Sequence, residues 1–328
     1  MGGILGYFWR QWTRKPKPLA SSKSLEGKTA LITGASIGGL GFEAAKELAS
    51  HKLSRLIIAV RDLDKGDGAK NAILTVTPNI NLEVWQLDYD DYDSILAFSQ
   101  QAEQLERLDF VLLNAGLKKL EYSKSRMGHE NNVQVNHLGT ALLSLLLLPT
   151  LEKTTNITNE PSRMTIVSSE VHFWVSFKEY TAPNIISRMD EKSSFGSGMD
   201  RYNKTKLLNV LWALQLASKI TNDKVVVNTV NPGLCYSGLH RHEKPVGITT
   251  VFLWLTGWTT QQGGHCLVDA LVEHETSHGK YLSEQRVTSP SNFVLSMEGV
   301  ATQKKLWNET LDLFKAEVPK AKLPVFLD

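Results

Sequence analysis

From residue 29 onward, short β-branched and apolar runs alternate with longer stretches of helical periodicity. Thr29 to Thr33 reads as an apolar strand, Leu56 to Val60 as a second, and Asn81 to Leu87 as a third with alternating polarity. Phe110 to Leu113, Met164 to Val167, Val225 to Val230 and Lys280 to Ser283 supply four more. Helical spacing covers Phe42 to Ser50, Tyr92 to Gln104, Gly128 to Leu148 and Arg201 to Ile220. Strict alternation predicts an α/β fold, with about seven strands in a doubly wound parallel sheet covered on both faces. The Gly128 to Leu148 run is interrupted by Asn136 and His137, so it is read as a core helix and not a bilayer span. No repeat and no second boundary interrupts residues 26–328, which are predicted to form a single domain behind a tail of residues 1–25.

Charge alters the picture only at the N-terminus. The net charge is +2, yet Arg10, Arg14, Lys15, Lys17 and Lys23 all precede the first acid, Glu26. The remainder carries 31 basic against 34 acidic residues, which gives nucleic-acid binding by the folded body no support. Met1 to Trp9 is mostly apolar and too short to span a bilayer. Two readings of the tail stay open: it packs on its own domain, or it is a weak interfacial anchor with Phe8, Trp9 and Trp12 at the headgroups. Two cysteines, Cys235 and Cys266, in a chain of 328 residues predict a reducing, cytoplasmic setting with membrane association as the variant.

Candidate chemistry begins at the first strand-to-helix turn, Thr33-Gly34-Ala35-Ser36-Ile37-Gly38-Gly39-Leu40-Gly41. Glycines there let the backbone approach a pyrophosphate, whose charge is met by the helix N-terminus, as in a Rossmann-type fold. The predicted cradle is Gly34, Ser36, Ile37, Gly39 and Gly41. The second strand ends in Val60-Arg61-Asp62, where an Arg pairs with the 2′-phosphate of NADP and an acid with the ribose hydroxyls of NAD. Arg61 comes first after the strand, which favours NADP.

A second constellation opens a long apolar helix: Tyr202-Asn203-Lys204-Thr205-Lys206. Residues i and i+4 share a helix face, so the Lys206 ammonium lies beside the Tyr202 phenol. A neighbouring positive charge favours the phenolate and draws a phenol toward the working range of a general acid/base. That is the group needed to exchange a proton with a carbinol oxygen.

Together these pieces resemble the short-chain dehydrogenase/reductase family from Glu26 onward, and more narrowly its fungal, retinol-dehydrogenase-like branch. The glycine loop, Asp88, Asn114-Ala115-Gly116, Asn136, Ser168-Ser169, Tyr202-x-x-x-Lys206 and Asn231-Pro232-Gly233 occur in the family's order. The resemblance implies that Tyr202 is the acid/base, and that Lys206 tunes it and holds the nicotinamide ribose. It further implies that Ser169 bonds the reacting oxygen and that Asn136 supports a water leading from Lys206 to solvent. Asp88 would meet the adenine, Asn114 the ribose side, and the segment after Pro232, with Cys235 and Ser237, the nicotinamide amide. One departure stands out: the family spaces its loop Thr-Gly-x-x-x-Gly-x-Gly, whereas four residues separate Gly34 from Gly39 here. Either Gly38, which tolerates positive φ, absorbs a one-residue bulge, or the loop is damaged and binds cofactor poorly.

The 32 residues between Ser169 and Tyr202 include Phe173, Trp174, Phe177, Tyr180 and Phe195, and Cys235 to Trp258 contains Val251-Phe252-Leu253-Trp254-Leu255. Both follow strand ends on the side where open α/β sheets bind ligands, so the predicted partner is an apolar ketone or alcohol, with homo-oligomerisation as a further use of the same surface. A catalytically weak NADP-binding scaffold is the alternative. No metal is expected. His274-Glu275-Thr276-Ser277-His278 matches a zinc-hydrolase pattern, but Thr276, Ser277 and Gly279 disfavour the helix which that chemistry needs.

Overall fold

Eight strands form one sheet in the order β3-β2-β1-β4-β5-β6-β7-β8 in the computed structural model, which describes residues 4–236, 238 and 257–324. The strands are β1 Thr29–Thr33, β2 Arg55–Val60, β3 Asn81–Gln86, β4 Phe110–Leu113, β5 Ser162–Val167, β6 Val225–Asn231, β7 Tyr281–Ser283 and β8 Arg286–Thr288. The seven expected strands are all present and parallel. An eighth, β8, pairs antiparallel with β7 through a two-residue turn, Glu284 and Gln285. Both turn residues have positive φ, 54° and 60°, as a tight hairpin demands. Neither is Gly or Asn, so the pattern gave no sign of a turn there.

Strand side chains alternate between two cores. Leu31, Ile57, Val111, Met164 and Val227 face helices Tyr92–Glu103, Thr140–Leu146 and Gly198–Ala217. Ala30, Ile32, Leu56, Ile58 and Leu112 face Leu40–Ser50, Leu63–Val76 and Thr260–Val272. Burial on both faces explains why these strands are continuous apolar runs. Three of the helices, Leu63–Val76, Thr260–Val272 and the C-terminal Met297–Glu317, were not foreseen. The last packs on Gly198–Ala217, where Trp307 stacks on Trp212 with ring centroids 4.6 Å apart. Asn131–Thr158, which overlaps the expected Gly128 to Leu148 helix and runs ten residues beyond it, is long and apolar enough to cross a membrane but is largely buried within the protein.

The order reverses between β1 and β4, so their carboxyl ends diverge and open a crevice. At this switch point the turns after β1 and β4 touch: a Cβ on Gly34 would lie 2.8 Å from Ala115 Cα.

The tail is not separate from the domain. Ile4–Thr13 is a helix, and Gln11 within it is fully buried. The Leu19 amide donates to Glu47, and Leu19 and Leu25 belong to the second core. Trp9 and Trp12, assigned to the interface with lipid in the anchor reading, are each 65% exposed.

Candidate active site

The glycine loop closes on itself. The Gly39 amide donates to Ser36 O at 3.1 Å, and Gly38 between them has φ +80°. Ser36 to Gly39 is thus a β-turn whose third residue needs positive φ, the position that favours glycine. The residue in excess of the family spacing is accommodated as the third position of this turn. Gly39 then caps the helix Leu40–Ser50, whose first amides face the crevice. Asn114 fastens the loop from the other side, its Nδ2 donating to Thr33 O and Gly34 O at 2.9 and 3.0 Å. A Cβ on Gly41 would lie 2.6 Å from that same nitrogen. Thr33, which sequence reasoning passed over, accepts from the amides of Asn114 and Ala115 at 3.0 Å.

These residues fit a dinucleotide. Nothing lies within 4 Å of a Cβ built on Gly38, so the loop crest is open, while Gly34 and Gly41 leave no room for one. An open crest over a helix N-terminus is what a pyrophosphate needs.

Beyond β2, Asp62 caps the helix Leu63–Val76: its carboxylate accepts from the Lys65 amide at 3.3 Å and pairs with Lys65 Nζ at 3.2 Å. Those hydrogen bonds hold it below the usual carboxylate range. Arg61 is exposed and makes no ion pair among the described residues. Asp88 accepts from Arg126 at 2.6 Å, a cation that the sequence did not suggest.

The second constellation assembles around the helix Gly198–Ala217. Lys206 Nζ lies 5.8 Å from the centroid of the Tyr202 ring and donates to Val167 O at 3.1 Å. Burial pulls the Lys206 ammonium down to about 8. Lys118, also buried, brings a second ammonium to 5.7 Å from the same centroid, on the loop after β4. Ser168 is buried and donates to Lys206 O at 2.7 Å, leaving Ser169 as the half-buried member of the pair. Ser169 caps the short 3-10 turn Glu170–Trp174.

Asn136 sits in a π-helical segment, Gln134–Gly139, inside an otherwise α-helical run. Such one-turn widenings recur at functional sites because they re-aim a side chain. Here Asn136 Nδ2 donates to Thr205 Oγ1 at 3.0 Å and to Leu117 O at 2.9 Å, while its Oδ1 accepts from the Leu117 amide at 2.8 Å. A Cβ on Gly116 would approach Asn136 Oδ1 at 3.0 Å and Lys206 Nζ at 3.7 Å. Asn114-Ala115-Gly116 therefore connects the glycine loop to the Tyr-Lys pair.

The chain is similar over most of its length to proteins named short chain dehydrogenase. A family model described as short chain dehydrogenase matches residues 28–173, which span the glycine loop and Ser169. The short chain dehydrogenase sol3 of Alternaria solani is 53% identical over 287 residues, covering 88% of this chain and 99% of that protein. The chain belongs to the short-chain dehydrogenase family. A second fungal relative, short chain dehydrogenase yanD of Aspergillus niger, is 37% identical over 313 residues, 90% of this chain and 94% of its own. Among solved structures, an uncharacterized protein of Mycobacterium paratuberculosis aligns with TM-score 0.68 at 22% identity, over 94% of this chain and all of its own. The NADP active-site complex of Pseudomonas aeruginosa RhlG aligns with TM-score 0.61 at 19% identity, over 79% of this chain and 95% of its own. Both share the fold.

The Cys235 thiol is buried, donates to Pro232 O at 3.3 Å, and is pushed up to about 12 by that burial. Ser237 and the Val251 to Leu255 run lie outside the described residues. Phe173 packs on His172 and Tyr281, Phe177 and Tyr180 pack on Phe293, and Phe195 packs on Tyr122. Of the five aromatics assigned to a substrate wall, Phe177 and Phe195 are buried, and Phe173 and Tyr180 are partly buried. Trp174 is 45% exposed. The His274 to His278 pattern lies on a turn after the helix Thr260–Val272. His278 Nδ1 accepts from the Val227 amide and Nε2 faces Ala217 O, so both of its ring nitrogens are taken by backbone.

Proposed function

We propose that this dehydrogenase is NADP(H)-dependent and interconverts an apolar ketone and its alcohol. The observation that carries the reading is that Lys206 Nζ lies 5.8 Å from the Tyr202 ring centroid and, with Asn136, borders Gly116 beside the glycine-loop crevice, while Ser169 stands just past the end of β5. When bound, the nicotinamide cofactor supplies or accepts the hydride. Tyr202 holds the proton to be exchanged with the substrate oxygen, and the buried Lys206 ammonium favours its release. Ser169 steadies the same oxygen, and Asn136 fixes the Leu117 backbone and Thr205 around them.

NADP is favoured because Asp62 is occupied as a helix cap while Arg61, at the end of β2, makes no ion pair among the described residues. A fold neighbour is itself an NADP complex, in keeping with this choice. An apolar substrate is favoured by four exposed side chains. Leu120 follows β4, Trp174 follows β5, Tyr236 follows β6, and Met199 opens the Tyr202 helix, all at the carboxyl end of the sheet. An intermediate of secondary metabolism is a substrate of this chemical type. The two cysteines are free thiols, as suits the cytoplasm.

The test is NADPH oxidation against a panel of apolar ketones, with NADH in parallel. Tyr202→Phe keeps the ring and removes the proton, so turnover should drop by about 10² or more while cofactor titration stays within threefold. A variant that retains a tenth of wild-type turnover would remove Tyr202 from the role.

A further inference from the structure

We propose that the N-terminal helix Ile4–Thr13 is a strut that sets the nicotinamide side of the site, with Gln11 and Arg10 as positioning residues. The inference rests on the reading of the segment after Pro232 as the nicotinamide-side loop. Gln11 is fully buried although its helix lies outside the stretch matched by the family model. Its side-chain Nε2 donates to Leu234 O at 2.9 Å, and its Oε1 accepts from the Leu234 amide at 3.2 Å. One side chain thus makes both bonds that a neighbouring strand would make to that residue. The Gln11 backbone carbonyl meanwhile accepts from Trp258 Nε1 at 2.6 Å, and the Trp258 amide donates to Leu234 O at 2.7 Å. Gly233, with φ +80°, is held between them: a Cβ there would lie 2.4 Å from the Trp258 ring and 3.1 Å from Gln11 Oε1.

Arg10 carries the strut to the catalytic side. It donates to Glu170 at 2.9 Å and to Glu284 at 2.8 Å, and Arg14 donates to Glu284 at 2.6 Å. Glu170 follows Ser169 directly. Asn231 Oδ1 accepts from the amides of both Glu170 and Gly233, at 3.0 and 3.1 Å, which closes a ring from helix to Ser169 end to loop and back. Beyond the helix, Gln285 at the β7–β8 turn makes paired bonds to the Lys17 backbone, at 2.8 and 2.7 Å. The positive-φ turn residues Glu284 and Gln285 are both engaged by the tail. A helix that only covered apolar surface would not direct its one buried amide and its guanidinium at these two segments.

The experiment compares wild type with Gln11→Met, similar in length but without the amide, and with Trp12→Ser, an exposed neighbour on the same helix. Hydrogen exchange in the cofactor-free protein reads the strut directly. Gln11→Met should speed exchange at the Leu234 and Tyr236 amides at least tenfold and leave the Gly198–Ala217 helix unchanged. It should also raise the NADPH dissociation constant about tenfold. Trp12→Ser should match wild type in both. Arg10→Met, expected to speed exchange at Glu170 and Gly233, serves if Gln11→Met does not fold. Exchange within threefold of wild type in the folded variant, or faster exchange with unchanged NADPH affinity, overturns the strut while leaving the family chemistry in place. A wild type that binds neither NADPH nor NADH overturns the cofactor reading and the role given to the strut with it.

Discussion

Removing Gly38 would restore the family spacing of the glycine loop, and the structure predicts that the restored loop binds cofactor worse. Gly38 is the third residue of the turn closed by Gly39 N–H to Ser36 O at 3.1 Å, and its own carbonyl accepts from the Gly238 amide at 3.2 Å. Deletion removes both bonds, each contributing about 1 kcal/mol net. It also shifts the start of the following helix by one residue, roughly 100° and 1.5 Å, so that different amides face the crevice. The combined loss is about 2–3 kcal/mol, or roughly 30- to 150-fold in dissociation constant. Gly38→Ala separates conformation from register. No atom lies within 4 Å of the new Cβ, so the only cost is the left-handed backbone, about 1–2 kcal/mol or roughly 5- to 30-fold. Gly34→Ala adds a 2.8 Å approach to Ala115 Cα and should be the worst of the three. The assay is NADPH fluorescence titration of the three variants after thermal unfolding has shown each to be folded. A deletion variant within threefold of wild type would refute the turn argument.

Three further outcomes follow from other parts of the molecule. Arg61→Ala should weaken NADPH by about 1.5–3 kcal/mol, the range for charged hydrogen bonds, and leave NADH nearly unchanged. Asp62→Ala should lower thermal stability by loss of the cap without changing the preference, and equal losses for both cofactors with Arg61→Ala would reject its selective role. Lys206 titrates near 8 in the folded protein against 10.5 for an ordinary lysine, because burial disfavours its charge. Between those values the unfolded chain holds the proton and the folded one does not, so stability rises with pH through that window. Cofactor-free wild type should therefore gain about 3 kcal/mol relative to Lys206→Met between pH 7 and pH 10.5, and parallel denaturation curves would contradict this. Trp307→Ala removes a ring stacked on Trp212 and should cost about 3–5 kcal/mol in urea unfolding, with loss of cofactor binding only where the protein itself unfolds.

What could be read from the chain divides by the range over which each interaction acts. Tyr202 and Lys206 were legible because four residues on a helix fix their adjacency whatever surrounds them. The strands were legible because burial on both faces leaves an uninterrupted apolar run, and the glycine loop because its backbone admits few other residues. Direction of burial was not legible. Phe177 and Phe195 have the composition of a substrate wall, yet their neighbours, Phe293 and Tyr122, lie 116 and 73 residues away, and these contacts turn the rings inward. Lys118 gave no local sign either, since its approach to Tyr202 depends on how the β4 loop meets a helix far along the chain. The same limit hid Gln11, whose partner Leu234 is 223 positions distant. Arg10 and Arg14 were legible only as part of the basic excess that stands behind the aromatic residues in the anchor reading. Their partner Glu284 occupies a left-handed turn position that has no sequence signature. Once β7 and β8 are paired, that carboxylate is buried beside the two arginines, and a charge left there without them would be costly. The basic excess at the N-terminus is therefore explained in part inside the protein, by a hairpin and a serine-bearing strand end that both need a cation from elsewhere in the chain.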